Sequence, residues 1–289
     1  MAADPTRAEW SVRAPGGPSL FGRSWLPAGS PRAAILVAHG FAEHSGRYEE
    51  TAHALNAAGF AVHAVDYRGH GRSPGPRVHV DAVDDYVADV RAALAEVRRR
   101  HPGLETFLLG HSQGGLIALA MALAEPAAFA GIVVTSPFLA VHPASRASRA
   151  MRAAARLLLR VAPRLPLPTH VDARTLSRDP AVVEAYARDP LVSHAASAGW
   201  LDAVERAQRH VRDRAALLRV PALVMASGED RLVDADAIRQ LALSAPAAFV
   251  HFVWWDGYFH EMLNDVGKER VTARIVSWLD ERLAPARRP

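Results

Sequence analysis

The 289 residues carry 34 arginines and lysines against 30 aspartates and glutamates, a formal charge of +4, and no cysteine. Without cysteine there are no disulfides, no thiolate metal sites and no cysteine nucleophile. Lys268 is the one lysine. The arginines are interleaved with acids and apolar residues, with no aromatic–basic alternation for stacking bases, so nucleic acid is not an expected partner.

Half of the residues are hydrophobic, which suits a large core, and the length suits one α/β domain with an insertion. No apolar run approaches the length of about 18 residues that a membrane span requires. The N-terminal MAADPTRAEW lacks the hydrophobic stretch of a signal peptide. A cytoplasmic protein without a transmembrane segment is the expectation.

Short apolar runs predict strands at Ala34–Ala38, Phe60–Val65, Thr106–Leu109, Gly131–Thr135, Ala222–Ala226 and Phe249–Trp254. They lack polar alternation, as strands of a parallel sheet covered on both faces do. Helical stripes lie between and after them. Val83, Val87, Val90, Leu94 and Val97 step by 4, 3, 4 and 3, and Val271, Ile275, Trp278 and Leu279 form a second stripe. Alternating strands and helices predict a mostly parallel sheet flanked by helices.

The alternation stops at Pro137 and resumes after Arg209. This stretch holds prolines at 137, 143, 163, 166, 168, 180 and 190, short helical pieces and no convincing strand. The expected organisation is a core of residues 1–136 and 210–289, with 137–209 inserted as a helical cap over the C-terminal edge of the sheet.

Within LLGHSQGGLIALAMALAEP, Gly110, Ser112 and Gly114 match G-x-S-x-G between a strand and a helix. The glycines are needed because side chains would collide at the sharp turn that lifts the serine out of the sheet. The helix start behind it favours developing negative charge. A serine nucleophile needs a base, and the base an orienting acid, following in the chain order serine, acid, histidine.

Six histidines follow Ser112: His142, His170, His194, His210, His251 and His260. The first three fall in the insertion, His210 lies near its end, and His251 sits inside a strand run. His260 follows the last strand and a turn, where a base is expected. Asp230 follows the strand of ALVMASGED and is the expected acid. Asp234 and Asp236 compete with it but read as capping acids at a helix start. Asp256 is a further alternative.

HGFAEHSGRY (39–48), DYRGHGRSPG (66–75), GHSQGG (110–115), SPFL (136–139), DPLV (189–192), GEDRLVD (228–234) and GYFHE (257–261) occur in the order typical of monoacylglycerol lipases. The chain resembles that family of α/β-hydrolase-fold serine hydrolases over roughly residues 20–283. The resemblance implies Ser112 as nucleophile, Asp230 as acid and His260 as base. It implies an oxyanion hole made by the backbone N–H groups of Phe41 and Gln113. Gln113 also follows from the motif, in which the residue after the nucleophile supplies one donor.

Glu43 and Arg47 match residues near the polar end of the family's pocket. They read equally as an ion pair that fixes their loop. Two departures bear on specificity: Phe41 stands where small residues are common, and Leu263 where some members carry a histidine near the glycerol. The implied function is hydrolysis of monoacylglycerols, with a lysophospholipase or broad carboxylesterase as the alternative. The expected partner is a small lipid ester, with neither cofactor nor metal. His39 and His44 are five apart with no third ligand in view.

In the insertion, Arg146, Arg149, Arg152, Arg156 and Arg160 share one helical face, and Met151, Ala154, Leu158 and Val161 another. The plainer reading is an amphipathic helix with a solvated basic side. The sharper one is a helix that docks peripherally on an anionic membrane surface.

Overall fold

The computed structural model describes residues 7–146, 148, 151, 158–169 and 171–284. The chain opens with β1 (Arg7–Arg13) and β2 (Ser19–Trp25). Then come β3 (Ala34–Ala38), α1 (Glu49–Ala57), β4 (Ala61–Val65), α2 (Asp84–Arg100), β5 (Thr106–His111), α3 (Gln113–Ala124) and β6 (Gly131–Thr135). After β6 follow β7 (Pro166–Pro168), α4 (Pro180–Arg188), β8 (Ala195–Ser197) and α5 (Ala198–Asp213). The chain closes with β9 (Ala222–Ser227), α6 (Ala235–Ser244), β10 (Val250–Trp255) and α7 (Lys268–Leu283).

Eight strands form one sheet in the order β1-β2-β4-β3-β5-β6-β9-β10. Strands β3 to β6, β9 and β10 run parallel, and β1 and β2 add an antiparallel edge. In β3 to β6 and β9 the lack of polar alternation follows from burial on both faces, whereas β10, at the edge, is only partly buried. Ala34, Leu36 and Ala38 enter one apolar layer with α2 and α3, whereas Ile35 and Val37 enter the other with Leu55 of α1 and Ile275 and Trp278 of α7.

The antiparallel edge was not legible as apolar runs. β1 reads RAEWSVR and buries only Trp10. β2 holds Gly22, whose missing side chain leaves room for the Trp10 ring; an added Cβ would come within 2.4 Å of it. The charged Arg23 of β2 is buried too, donating to Ser45 Oγ at 2.9 Å.

The segment between β6 and β9 differs from expectation in two respects. β7 and β8 pair as a small antiparallel ribbon. Two of β7's three residues are prolines, which hides a strand from a reading by composition. The boundary expected after residue 209 also falls inside an element, because α5 keeps burying side chains through Val211. At the far edge, His251 lies in β10 as expected but is exposed, meeting Arg274 at 2.9 Å.

Candidate active site

Ser112 stands between β5 and α3 with φ 52° and ψ −114°, a conformation that costs a residue with a Cβ about 1–3 kcal/mol. Close packing enforces the turn. A Cβ on Gly114 would lie 1.9 Å from the Ala38 carbonyl oxygen, and one on Gly110 would lie 2.4 Å from that of Gly114. The backbone of Ser112 is tied on both sides, its N–H to Thr135 O and its carbonyl to Phe138 N–H, each at 2.9 Å.

His260 lies in the turn after β10. Its Nδ1 is 2.6 Å from Asp230 Oδ2. Asp230 follows β9, and its other oxygen accepts the N–H groups of Leu232 and Val233 at 2.9 Å. Of the competing acids, Asp234 is the N-cap of α6, accepting from Asp236 and Ala237, and it also pairs with Arg146 at 2.8 Å. Asp236 lies in the first turn of α6, 3.4 Å from Arg239. Among the described residues, Asp256 makes no hydrogen bond or ion pair with His260. The geometry therefore brings Asp230 alone to the imidazole.

Burial by itself pulls the pKa of His260 down, but the Asp230 carboxylate outweighs it and the imidazole is raised above its ordinary value. Burial pushes Asp230 up, yet the charge of His260 and three hydrogen bonds hold it below the usual carboxylate range. An ionised Asp230 fixes the tautomer. Nδ1 carries the proton and Nε2 keeps a lone pair.

Ser112 and His260 line one cavity of about 340 Å³, together with Gly40, Phe41, Glu43 and Glu261. Its apolar wall comes largely from the segment after β6, including Phe138, Val141, Val171, Leu176, Trp200 and Leu201. Gln113 starts α3, where a first-turn N–H has no intrahelical acceptor. Among the described residues, the N–H groups of Phe41 and Gln113 have no hydrogen-bond acceptor outside the regular elements.

The peptide that carries the Phe41 N–H is held by its neighbours. His39 Nε2 accepts from Tyr67 N–H at 3.2 Å, so its proton sits on Nδ1, which donates to Gly40 O at 2.9 Å. Because the peptide is planar and trans, fixing that carbonyl directs the Phe41 N–H the opposite way. Glu43 Oε1 accepts the preceding Gly40 N–H at 2.5 Å and the Tyr48 hydroxyl at 2.7 Å.

Glu43 and Arg47 meet as an ion pair. Arg47 bridges Glu43 at 2.6 Å and Glu261 at 2.6 and 2.8 Å, and it stacks 4.7 Å above Tyr186. Glu43 lies on the cavity wall, but Arg47 is not among the wall residues. Burial raises Glu43, and the Arg47 charge beside it more than reverses this, leaving the carboxyl well below its usual range.

Sequence reasoning missed two participants. Glu261 carries no signal beyond following the base. His111 packs 4.9 Å from His260 and is pushed down to about 4 by burial and by that neighbour, so it stays neutral. Leu263, at the position of the family's second histidine, is buried in the layer under α7 and does not reach the cavity wall.

A serine on a strand-to-helix turn, sharing a cavity with an aspartate-held histidine at the edge of a mostly parallel sheet, defines a serine hydrolase of the α/β-hydrolase fold. A profile of the family described as serine aminopeptidase, S33, matches residues 29–267. The monoacylglycerol lipase of Mycolicibacterium smegmatis is 36% identical over 95% of this chain and 97% of its own length. The human monoglyceride lipase is 36% identical over 93% of this chain and 89% of its own. The crystal structure of the Paleococcus ferrophilus monoacylglycerol lipase superposes with a TM-score of 0.81 at 31% identity, covering 91% of this chain and 99% of that one. The chain belongs to the monoacylglycerol lipase family of serine ester hydrolases.

Proposed function

We propose that this protein hydrolyses monoacylglycerols to a fatty acid and glycerol through an acyl-enzyme on Ser112. The observation that carries the reading is a histidine held at 2.6 Å by Asp230 that lines the same apolar-walled cavity as Ser112. His260 Nε2 takes the Ser112 proton as Oγ attacks the ester carbonyl. The amides of Phe41 and Gln113 hold the resulting oxyanion, and losing such a donor costs about 10²–10³ in rate. His260 then protonates the departing glycerol oxygen, and water repeats the sequence on the acyl-enzyme. The inserted segment acts as the cap, its described residues Phe138, Val141, Val171, Leu176, Trp200 and Leu201 walling the acyl site.

Glu43 and Glu261 are the carboxylates on the wall of the cavity that Ser112 and His260 line, and would meet the polar end of the substrate. Arg47 acts through them, because its guanidinium is occupied by both carboxylates.

Labelling with a fluorophosphonate probe tests the nucleophile, and Ser112→Ala is expected to abolish it. Monoolein, lysophosphatidylcholine, p-nitrophenyl esters and an aminoacyl anilide, assayed side by side, test the substrate class. Faster turnover of the lysophospholipid or the anilide would replace the monoacylglycerol reading.

The raised imidazole sets the pH response. The base must be neutral in the free enzyme, so kcat/KM falls as pH drops through the His260 pKa. Its acid limb is expected above the ordinary imidazole value of about 6.5. Asp230→Asn removes the raising charge and should shift the limb of the residual activity downward. A limb that stays in place overturns this origin of the shift.

Exposed apolar residues of the inserted segment favour peripheral membrane contact. Met151, Val161 and Leu165 are 63%, 72% and 48% exposed, with Arg160 and Arg164 also exposed nearby in the chain. Arg149, Arg152 and Arg156 lie outside the described residues, as does Ala154, and Arg146 is engaged by Asp234. No helix among the described residues is long and apolar enough to cross a membrane. Co-sedimentation with phosphatidylserine vesicles should fall when Met151 and Val161 become Asp. Equal sedimentation of variant and parent removes this contact from the account.

A further inference from the structure

Two side chains of no assigned use converge on one residue of the inserted segment. The ring of Phe41 packs against the indole of Trp200, with centroids 4.4 Å apart and planes tilted by 38°. Gln113 Oε1 accepts from Trp200 Nε1 at 2.7 Å. The orientation of that amide is unambiguous, because an indole N–H can only donate. Phe41 and Gln113 are the two residues whose backbone amides form the oxyanion hole in the reading above. They are 72 positions apart, and Trp200 is the point at which their side chains meet.

Trp200 is itself held. It lies in the first turn of α5, where the hydroxyl of the N-cap Ser197 accepts its N–H at 3.0 Å and also meets His79 Nδ1 at 2.8 Å. Its side chain is buried, and its ring forms part of the cavity wall. Gln113 is fully buried, and its Nε2 has no partner among the described residues. The indole therefore provides the one side-chain hydrogen bond that fixes Gln113, and without it a buried amide would be left wholly unpaired.

We propose that Trp200 is a positioning residue, coupling the seating of the inserted segment to the alignment of both oxyanion donors. The hydrogen bond sets the rotation of Gln113 at the head of α3. The stacked rings set the Phe41 loop. With α5 seated, both amides aim at one point; with α5 displaced, both lose their support together. The coupling depends on the phenyl ring of Phe41, since a small residue there offers the indole nothing to pack on.

This inference rests on the acyl-enzyme reading, and the experiment separates the two. Fluorophosphonate labelling of the parent protein checks the reading. Trp200→Phe keeps an aromatic wall but removes the N–H donor, and p-nitrophenyl acetate and octanoate are then compared. A positioning role lowers kcat on both esters alike, by about 10- to 100-fold, with KM little changed, because misplaced donors act on the carbonyl common to both. A residue that only walls the acyl chain would spare acetate, which has no chain to enclose.

Gln113→Met keeps the backbone amide and breaks the same hydrogen bond from its other end, so it gives the answer should Trp200→Phe fail to fold. The double variant should be no slower than the worse single one, as expected for one shared interaction. Acetate turnover within about twofold of the parent in either folded single variant overturns the proposal, since one misdirected donor already costs more than that. Labelled parent protein with unaffected variants refutes the coupling alone, and unlabelled parent protein refutes the reading beneath it.

Discussion

Asp230→Asn is expected to lower kcat for ester hydrolysis by about 10⁴-fold, with fold and thermal transition retained. An amide at this position can donate to Nδ1, which leaves the imidazole proton on Nε2, the atom that must accept from Ser112. The neutral amide also removes the charge that stabilises the imidazolium formed during attack. The two hydrogen bonds from Leu232 and Val233 reach the other oxygen, which an asparagine carbonyl can still provide, so the loop should keep its shape. Asp234→Asn is the matched control. It keeps an acceptor for the first turn of α6 and loses only the exposed contact with Arg146, which is worth at most about 1 kcal/mol. Comparable losses in both variants would remove Asp230 from the acid's role.

The sequence was most legible where one physical requirement acts on consecutive residues. Burial on both faces made β3 to β6 and β9 visible as apolar runs, and the half-exposed edge strand β10 was visible through its valines and aromatics, each run displaced by no more than a residue or two at its ends. The turn at Ser112 was visible because a Cβ at 110 or 114 would collide with neighbouring backbone, so that only glycine is admitted there. β1 and β2 were hidden, since a half-exposed edge pair with a buried arginine presents charged residues where an apolar run is sought.

Contacts between distant elements were less legible still. Loop position and the capping pattern of the following helix favour Asp230 over Asp234, and the structure adds the 2.6 Å contact with His260 that no local pattern specifies. Arg47 and Glu261 lie 214 positions apart, and no local pattern announces that they meet. The same holds for Trp200, which carries no motif and is made conspicuous only by the two residues it touches.

Arg47→Met is expected to be the most destabilising single change at the site, by about 3–5 kcal/mol, lowering the thermal midpoint by roughly 10 °C. The guanidinium is the only cation between two buried carboxylates among the described residues. Removing it leaves Glu43 and Glu261 in a low-dielectric wall with like charges facing each other, and the methionine restores packing on Tyr186 without restoring charge. In the parent, the depressed pKa of Glu43 contributes stability above the unfolded carboxyl value of about 4.3, lost as pH falls through the lower folded value. In the variant, burial is no longer offset and raises the folded pKa, so its penalty grows as pH rises through that value. The gap in thermal midpoint should therefore be widest near neutral pH and narrow towards pH ~4.5. Glu43→Gln and Glu261→Gln, added to Arg47→Met, remove both stranded charges and should recover most of the midpoint at neutral pH. Activity should return less fully, because Gly40 N–H would then be held by a neutral amide oxygen in place of a carboxylate, and the Phe41 donor beside it would be less firmly aimed. A midpoint that does not depend on pH in Arg47→Met would show that the arginine contributes packing rather than charge.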